Sequence, residues 1–160
     1  MTTLRTLTLV RHAQAGSGFG VDHKRPLTAT GTRQADALGR SLSSVIAPQA
    51  IHHSSARRTT QTARALAEQL GPCDLVSVDN LYDAWWDDVV AYVRGFDPGH
   101  TDVVVVGHQP TIGACAWELT RDDSIGAVGT ATAFVLEWRG RWDELAGGRC
   151  RLRARHHAPA

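Results

Sequence analysis

Three strand candidates end in residues that could do chemistry together. Thr6-Leu7-Thr8-Leu9-Val10 leads into Arg11-His12, Ala50 to His53 leads into Ser54-Ser55-Ala56-Arg57-Arg58, and Val103 to Val106 leads into Gly107-His108. The inventory is two histidines, two or three arginines and several hydroxyls, with no carboxylate directly beside them. Such a set suits a bound phosphate. Guanidinium forks match phosphate oxygens two at a time, and helix N-termini add N–H donors and a favourable dipole. A neutral imidazole among these donors can act as a nucleophile, taking a phosphoryl group on one nitrogen while the arginines offset the charge in transfer. No metal is then required.

For these residues to meet, the runs must be parallel strands that stop at one edge of a sheet, because open α/β sheets bind ligands outside the carboxyl ends of their strands. The spacing between the runs supports this. Gly31, Ala35, Leu38, Leu42 and Val45 recur at helical intervals, with Thr28 as N-cap and Pro48 beyond the end. Thr59, Ala63, Leu66, Ala67 and Leu70 predict a second helix closed by Gly71-Pro72, and Leu75 to Val78 a short strand. Trp86, Val89, Val90, Val93 and Phe96 predict a third helix before Asp97-Pro98-Gly99, and Pro110 suits the first turn of a fourth carrying Ile112, Cys115, Ala116 and Leu119. The four valines 103 to 106 are apolar on both faces, as a covered central parallel strand requires. Two terminal strands follow, around Thr132 to Trp138 and around Arg149 to Arg155. The order β-α-β-α-β-α-β-α-β-β predicts a three-layer α/β/α sandwich with a mostly parallel six-stranded sheet and an antiparallel edge region.

The chain has 160 residues, 42% hydrophobic and 21% charged, which predicts one domain over residues 1–160. Seventeen Lys and Arg against sixteen Asp and Glu leave a net charge of +1, so no whole-molecule field would gather nucleic acid or an anionic membrane. No apolar run has the length of a membrane span, and the N-terminus lacks the pattern of a signal peptide. A cytoplasmic monomer is expected. Cys73, Cys115 and Cys150 are odd in number and far apart, which favours neither a disulfide framework nor structural zinc.

Several stretches together resemble the histidine phosphatase superfamily. They are Leu9-Val10-Arg11-His12-Ala13-Gln14, Arg25-Pro26-Leu27-Thr28 with Gly31, Ser54 to Thr62 with Arg58-Thr59-Thr60-Gln61-Thr62-Ala63, and Val106-Gly107-His108-Gln109-Pro110. The likeness runs from about Leu7 to the strand near Leu136 and is nearest to the short phosphohistidine phosphatases of the SixA type. It implies a phosphoglycerate mutase-like fold, a phosphorylated His12, and Arg11, Arg58 and His108 around the transferring group. Arg25 is implied as a further contact to phosphate or substrate, and Ser17 as a pocket residue, though it also reads as a flexible loop residue. No metal and no cofactor are implied. The expected partner is a phosphohistidine-bearing protein or a small phosphomonoester.

Two departures from the family pattern matter. Ala13 replaces the usual glycine of Arg-His-Gly, which asks that position for a φ below zero. Larger members draw a proton donor from the segment after the third strand, and there Asp83 is the candidate, although it also suits the N-cap of the Trp86 helix. A weak acid position favours phosphoramidate substrates, whose leaving nitrogen is readily protonated.

Other readings compete. Cys115 and Arg121 have the CxxxxxR spacing of cysteine phosphatases, but Cys115 falls on the apolar stripe of a helix. A metallohydrolase would use His12, His108 and His52 or His53, against the repulsion of Arg11 and Arg58. A binding module without catalysis is possible on the same fold. Arg149, Arg151, Arg153 and Arg155 alternate like the charged face of an edge strand. Trp86 and Trp117 read as core or near-core, and Trp85 as a residue of the pocket rim.

Overall fold

In the computed structural model, which describes residues 2–160, ten regular elements alternate as the spacing predicts. They are β1 (Leu4–Arg11), α1 (Ala29–Leu42), β2 (Ala50–Ser54), α2 (Arg57–Leu70), β3 (Asp74–Val78), α3 (Trp86–Val93), β4 (Asp102–Gly107), α4 (Thr111–Thr120), β5 (Thr132–Arg139) and β6 (Arg151–His157). The sheet order is β3-β2-β4-β1-β5-β6. The first four strands are mutually parallel, β5 is antiparallel to β1, and β6 is antiparallel to β5. The fold is therefore a mixed, mostly parallel α/β sandwich with an antiparallel edge.

Alternation along the strands builds two cores. Val103 and Val105 face Val89, Val90 and Val93 of α3 and Ile112, Cys115 and Leu119 of α4. Val104 and Val106 face Ala35, Leu38 and Leu42 of α1 and Ala63 and Leu66 of α2. Period-two side chains on a strand covered on both sides give this result. Thr28 caps α1, its side chain accepting from the Gly31 N–H at 3.0 Å.

Some boundaries differ from the expectation. The third helix ends at Val93 rather than running to Phe96, which packs against the core after a turn. Its N-cap is Trp85, whose N–H donates to the Asp88 carboxylate at 2.9 Å, so Asp83 does not cap it. The last strand starts at Arg151, because the N–H groups of Gly148 and Cys150 donate to carbonyls 118 and 119 at the end of α4. Trp86 lies half-buried against the core as expected, whereas Trp117 is 36% exposed, under the Arg121 guanidinium. Trp85 is also exposed. Among the described residues no helix is long and apolar enough to cross a membrane.

Candidate active site

Register brings the chemistry together. Central β4 lies between β2 and β1. Arg11 stands opposite Gly107, and His53 opposite Val106, so all three strands stop at one level. The His12 N–H continues the ladder by donating to the Gly107 carbonyl at 3.1 Å. His12, the start of α2 and His108 therefore leave the sheet side by side.

His12 is 7% exposed. Its Nδ1 lies 2.7 Å from the Ala13 carbonyl. A carbonyl can only accept, so Nδ1 carries the proton and Nε2 keeps its lone pair. Burial, aided by the charges of Arg58, Arg11 and Arg25 and opposed by the Ala13 contact, lowers the His12 pKa to about 4. At neutral pH the ring is uncharged and has a free lone pair. Ala13 has no positive φ, and its N–H donates to Thr62 Oγ1 at 3.1 Å, which fixes the loop to α2. The β-carbon is accommodated as expected.

His108 meets the His12 ring edge-on at 5.3 Å between centroids. Its Nε2 shares a 2.8 Å hydrogen bond with the buried Ser54 hydroxyl. Burial, with His12 and Arg58 adding to it, lowers its pKa to about 3. Arg58 lies in the first turn of α2, against the helix dipole, and its side chain is 7% exposed. Arg11 holds the Val128 carbonyl through Nη1 at 2.9 Å. Among the described residues, the buried Nε atoms of Arg11 and Arg58 have no hydrogen-bond partner. Buried guanidinium donors left open beside a neutral imidazole suit an incoming oxyanion.

The two rim candidates and Asp83 have different surroundings. Arg25 donates to the Gly16 carbonyl at 2.9 Å and pairs with Asp22 at 3.2 Å, close enough to lower the His12 pKa. Ser17 is exposed, accepts from the Phe19 N–H at 3.1 Å, and shares a surface hollow with Asp22 and Arg25. Asp83 is exposed and faces another hollow, lined by Asp79, Asn80, Asp88 and Tyr92, which has no wall in common with His12, Arg58 or His108.

The carboxylate beside the site is Asp22. It receives Arg58 Nη2 at 3.1 Å, Arg25 Nη1 at 3.2 Å and the Tyr82 hydroxyl. The sequence reading placed Ser54 at its strand end but gave it no individual role, and it missed Asp22, Tyr82 and His23. One signal was present: Asp22 is the only acidic residue between Arg11-His12 and Arg25-Pro26-Leu27-Thr28.

The competing chemistries find no matching geometry. Cys115 is buried inside α4, and burial pushes its thiol up to about 12, the reverse of a reactive thiolate. His52 stacks on Phe96 and bonds Tyr92, while His53 bonds the Ser54 carbonyl. Among the described residues no three His, Cys, Asp or Glu are grouped to hold a metal ion.

A model of the histidine phosphatase superfamily (branch 1) matches residues 7–90, more than half of the chain. The chain belongs to the histidine phosphatase superfamily. Within the superfamily, it resembles the proposed SixA phosphohistidine phosphatase of Nakamurella multipartitia with a TM-score of 0.90 and 35% identity, covering 99% of this chain and 98% of that one. A SixA protein histidine phosphatase complexed with tungstate gives a TM-score of 0.82 at 19% identity over 96% of this chain and 97% of that one, a likeness of fold. An uncharacterized Mycobacterium tuberculosis protein is 29% identical over 161 residues, covering 94% of this chain and 99% of the relative. The superfamily match includes Arg11, His12, Arg25 and Arg58, while His108 lies beyond the matched stretch.

Proposed function

We propose that this superfamily member is a metal-independent phosphatase that forms a phosphohistidine on His12 and acts on phosphohistidine-bearing proteins. The observation that carries the reading is the His12 ring itself. It is buried, its Nδ1–H is committed to Ala13, and its pKa near 4 keeps it neutral beside Arg58 and His108. In the first step the Nε2 lone pair attacks phosphorus, and the bond to the leaving group breaks on the opposite side. Arg11, Arg58 and His108 stabilise the equatorial oxygens. Water then attacks phosphorus, the pair in the N–P bond returns to Nε2, and phosphate is released.

The arginines that offset phosphoryl charge also repel a cation, which supports catalysis without a metal. The connections at the carboxyl ends of the parallel strands cover residues 12–28, 55–56, 79–85 and 108–110. Three of them are two to seven residues long, and the longest, 12–28, adds only the short turn Asp22–Lys24, which favours a phosphorylated side chain presented by a protein over a fully enclosed small molecule.

The test is phosphate release from a phosphohistidine peptide in EDTA, with wild type and His12→Ala side by side. Release by wild type alone is expected. Equal release by both overturns the mechanism, and release by neither moves the assignment to another phosphoester or to a binding role.

A further inference from the structure

A carboxylate at the mouth of an anion site needs a reason. Asp22 starts the short 3-10 turn Asp22–Lys24 and draws both terminal nitrogens of Arg58, Nη1 to its carbonyl at 2.8 Å and Nη2 to its carboxylate at 3.1 Å. Its side chain is 54% exposed, against 7% for Arg58, so Asp22 lies on the solvent side of the guanidinium. The Tyr82 hydroxyl donates to it, and the Tyr82 ring stands edge-on to His108 at 5.7 Å and to His23 at 4.8 Å. His12 is 7% exposed and its ring meets His108, which in turn meets Tyr82, so Asp22 and Tyr82 stand on the solvent side of the histidine pair, the side open to a leaving group.

The Asp22 charge is balanced by Arg58 and Arg25. A bound phosphoryl dianion competes for the same Arg58 fork. Asp22 then keeps Tyr82 but loses a counter-charge, beside the atom about to leave. A leaving group that carries positive charge and N–H donors restores the balance, and an anionic one worsens it.

We infer that Asp22, held in place by Tyr82, is a specificity-determining residue that favours substrates whose leaving group is cationic and disfavours those whose leaving group is anionic. The inference rests on the reading of His12 as nucleophile, and it extends that reading to the leaving group. The Tyr82 hydroxyl, and then Arg25 and Arg58, hold the Asp22 carboxyl well below the usual carboxylate range, so it accepts hydrogen bonds and supplies no proton. None is needed for such a substrate. A phosphoimidazole protonated on its distal nitrogen loses its P–N bond with the pair going to the leaving nitrogen, and it departs as neutral imidazole while the new bond forms to His12 Nε2.

The experiment measures kcat/KM for three aryl phosphates bearing a para aminomethyl, hydrogen or carboxylate group, and for a phosphohistidine peptide. Wild type, Asp22→Asn and Tyr82→Phe are compared. Taking each variant-to-wild-type ratio removes the intrinsic reactivity of the substrate. Asp22→Asn is expected to shift the cationic-to-anionic preference toward the anion by about three- to tenfold, the size of an exposed charge contact. Tyr82→Phe retains the charge but releases the carboxylate, and is expected to keep the direction of the wild-type preference at a reduced size. An equal effect of Asp22→Asn on all substrates overturns the inference and makes Asp22 a mere support for Arg58. A peptide left intact while the aryl series is hydrolysed defeats the phosphohistidine reading alone, and the aryl ratios still decide the role of Asp22. If no substrate turns over, inorganic phosphate binding by calorimetry decides: about threefold or more tightening in Asp22→Asn supports the charge effect, and unchanged affinity overturns it.

Discussion

His12 has a single arrangement of protons compatible with its neighbours, and the pH dependence of the enzyme follows from it. Its Nδ1 faces a carbonyl, and its pKa lies near 4 against an ordinary 6.5. In the proposed mechanism protonation of Nε2 removes the nucleophile, so activity is expected to fall as pH falls through the depressed value. The acid limb of kcat/KM, corrected for ionisation of the substrate phosphate, is expected near pH 4; a limb at 6.5 would contradict the burial argument. Arg58 acts through its fork rather than its charge alone. Arg58→Ala is expected to lower kcat/KM by about 10² to 10³, and Arg58→Lys to recover little of it, since an ammonium cannot match two oxygens in one plane. At this scale the sequence was informative where strand ends carry distinctive side chains, as with Arg11, His12 and Arg58, which the fold brings together. For Asp22 it offered only the isolation of one acidic residue in its loop, since the place of that residue depends on a turn folding back onto α2.

The elements place these residues through close backbone contacts as much as through side chains. A β-carbon built on Gly31 would lie 2.0 Å from the Gln14 carbonyl oxygen, so α1 can approach the loop after His12 only with glycine there. Thr28 and Gln34 complete the junction: the Thr28 hydroxyl donates to Gln14 Oε1 at 2.8 Å, and Gln34 Oε1 accepts from the Gln14 N–H at 2.8 Å. Gly31→Ala is expected to cost about 1–3 kcal/mol in urea unfolding, because backbone must move. It should also lower kcat/KM by up to about a hundredfold, since displacing the Gln14 loop moves His12, the proposed nucleophile. A stable and fully active variant would show that the junction does not position His12. Helix and strand types were legible from periodicity, since the apolar stripes of α1, α2 and α4 and the paired faces of β4 are local patterns. Their ends were less so. Where α3 stops and β6 starts depends on contacts with distant segments, such as the bond from Cys150 N–H to the Leu119 carbonyl.

The whole molecule stores neutral histidines at a cost that pH reveals. Burial, the largest cause in each case, holds His12 and His52 at about 4 and His108 at about 3, all below the ordinary 6.5. Above pH 6.5 neither state binds these protons. As pH falls from about 6.5 toward 4 the unfolded chain takes them up and the native state does not, so stability declines. The expected slope is about 1.4 kcal/mol per pH unit for each histidine kept neutral, measured by chemical denaturation between pH 7 and 4.5. Substituting His52, which lies outside the site, by Phe should make the decline shallower; an unchanged slope would show that this ring titrates normally in the fold. The sequence alone determined the alternation of elements, the central valine strand and the three strand ends carrying Arg11-His12, Ser54 to Arg58 and Gly107-His108, because these follow from local periodicity and side-chain chemistry. Only the tertiary structure decided that β4 inserts between β2 and β1 and brings the three ends to one level. It likewise decided that Asp22 and Tyr82, and not Asp83, stand over Arg58, because charge and hydrogen-bond contacts between segments far apart in the chain exist only once the sheet has set their spacing.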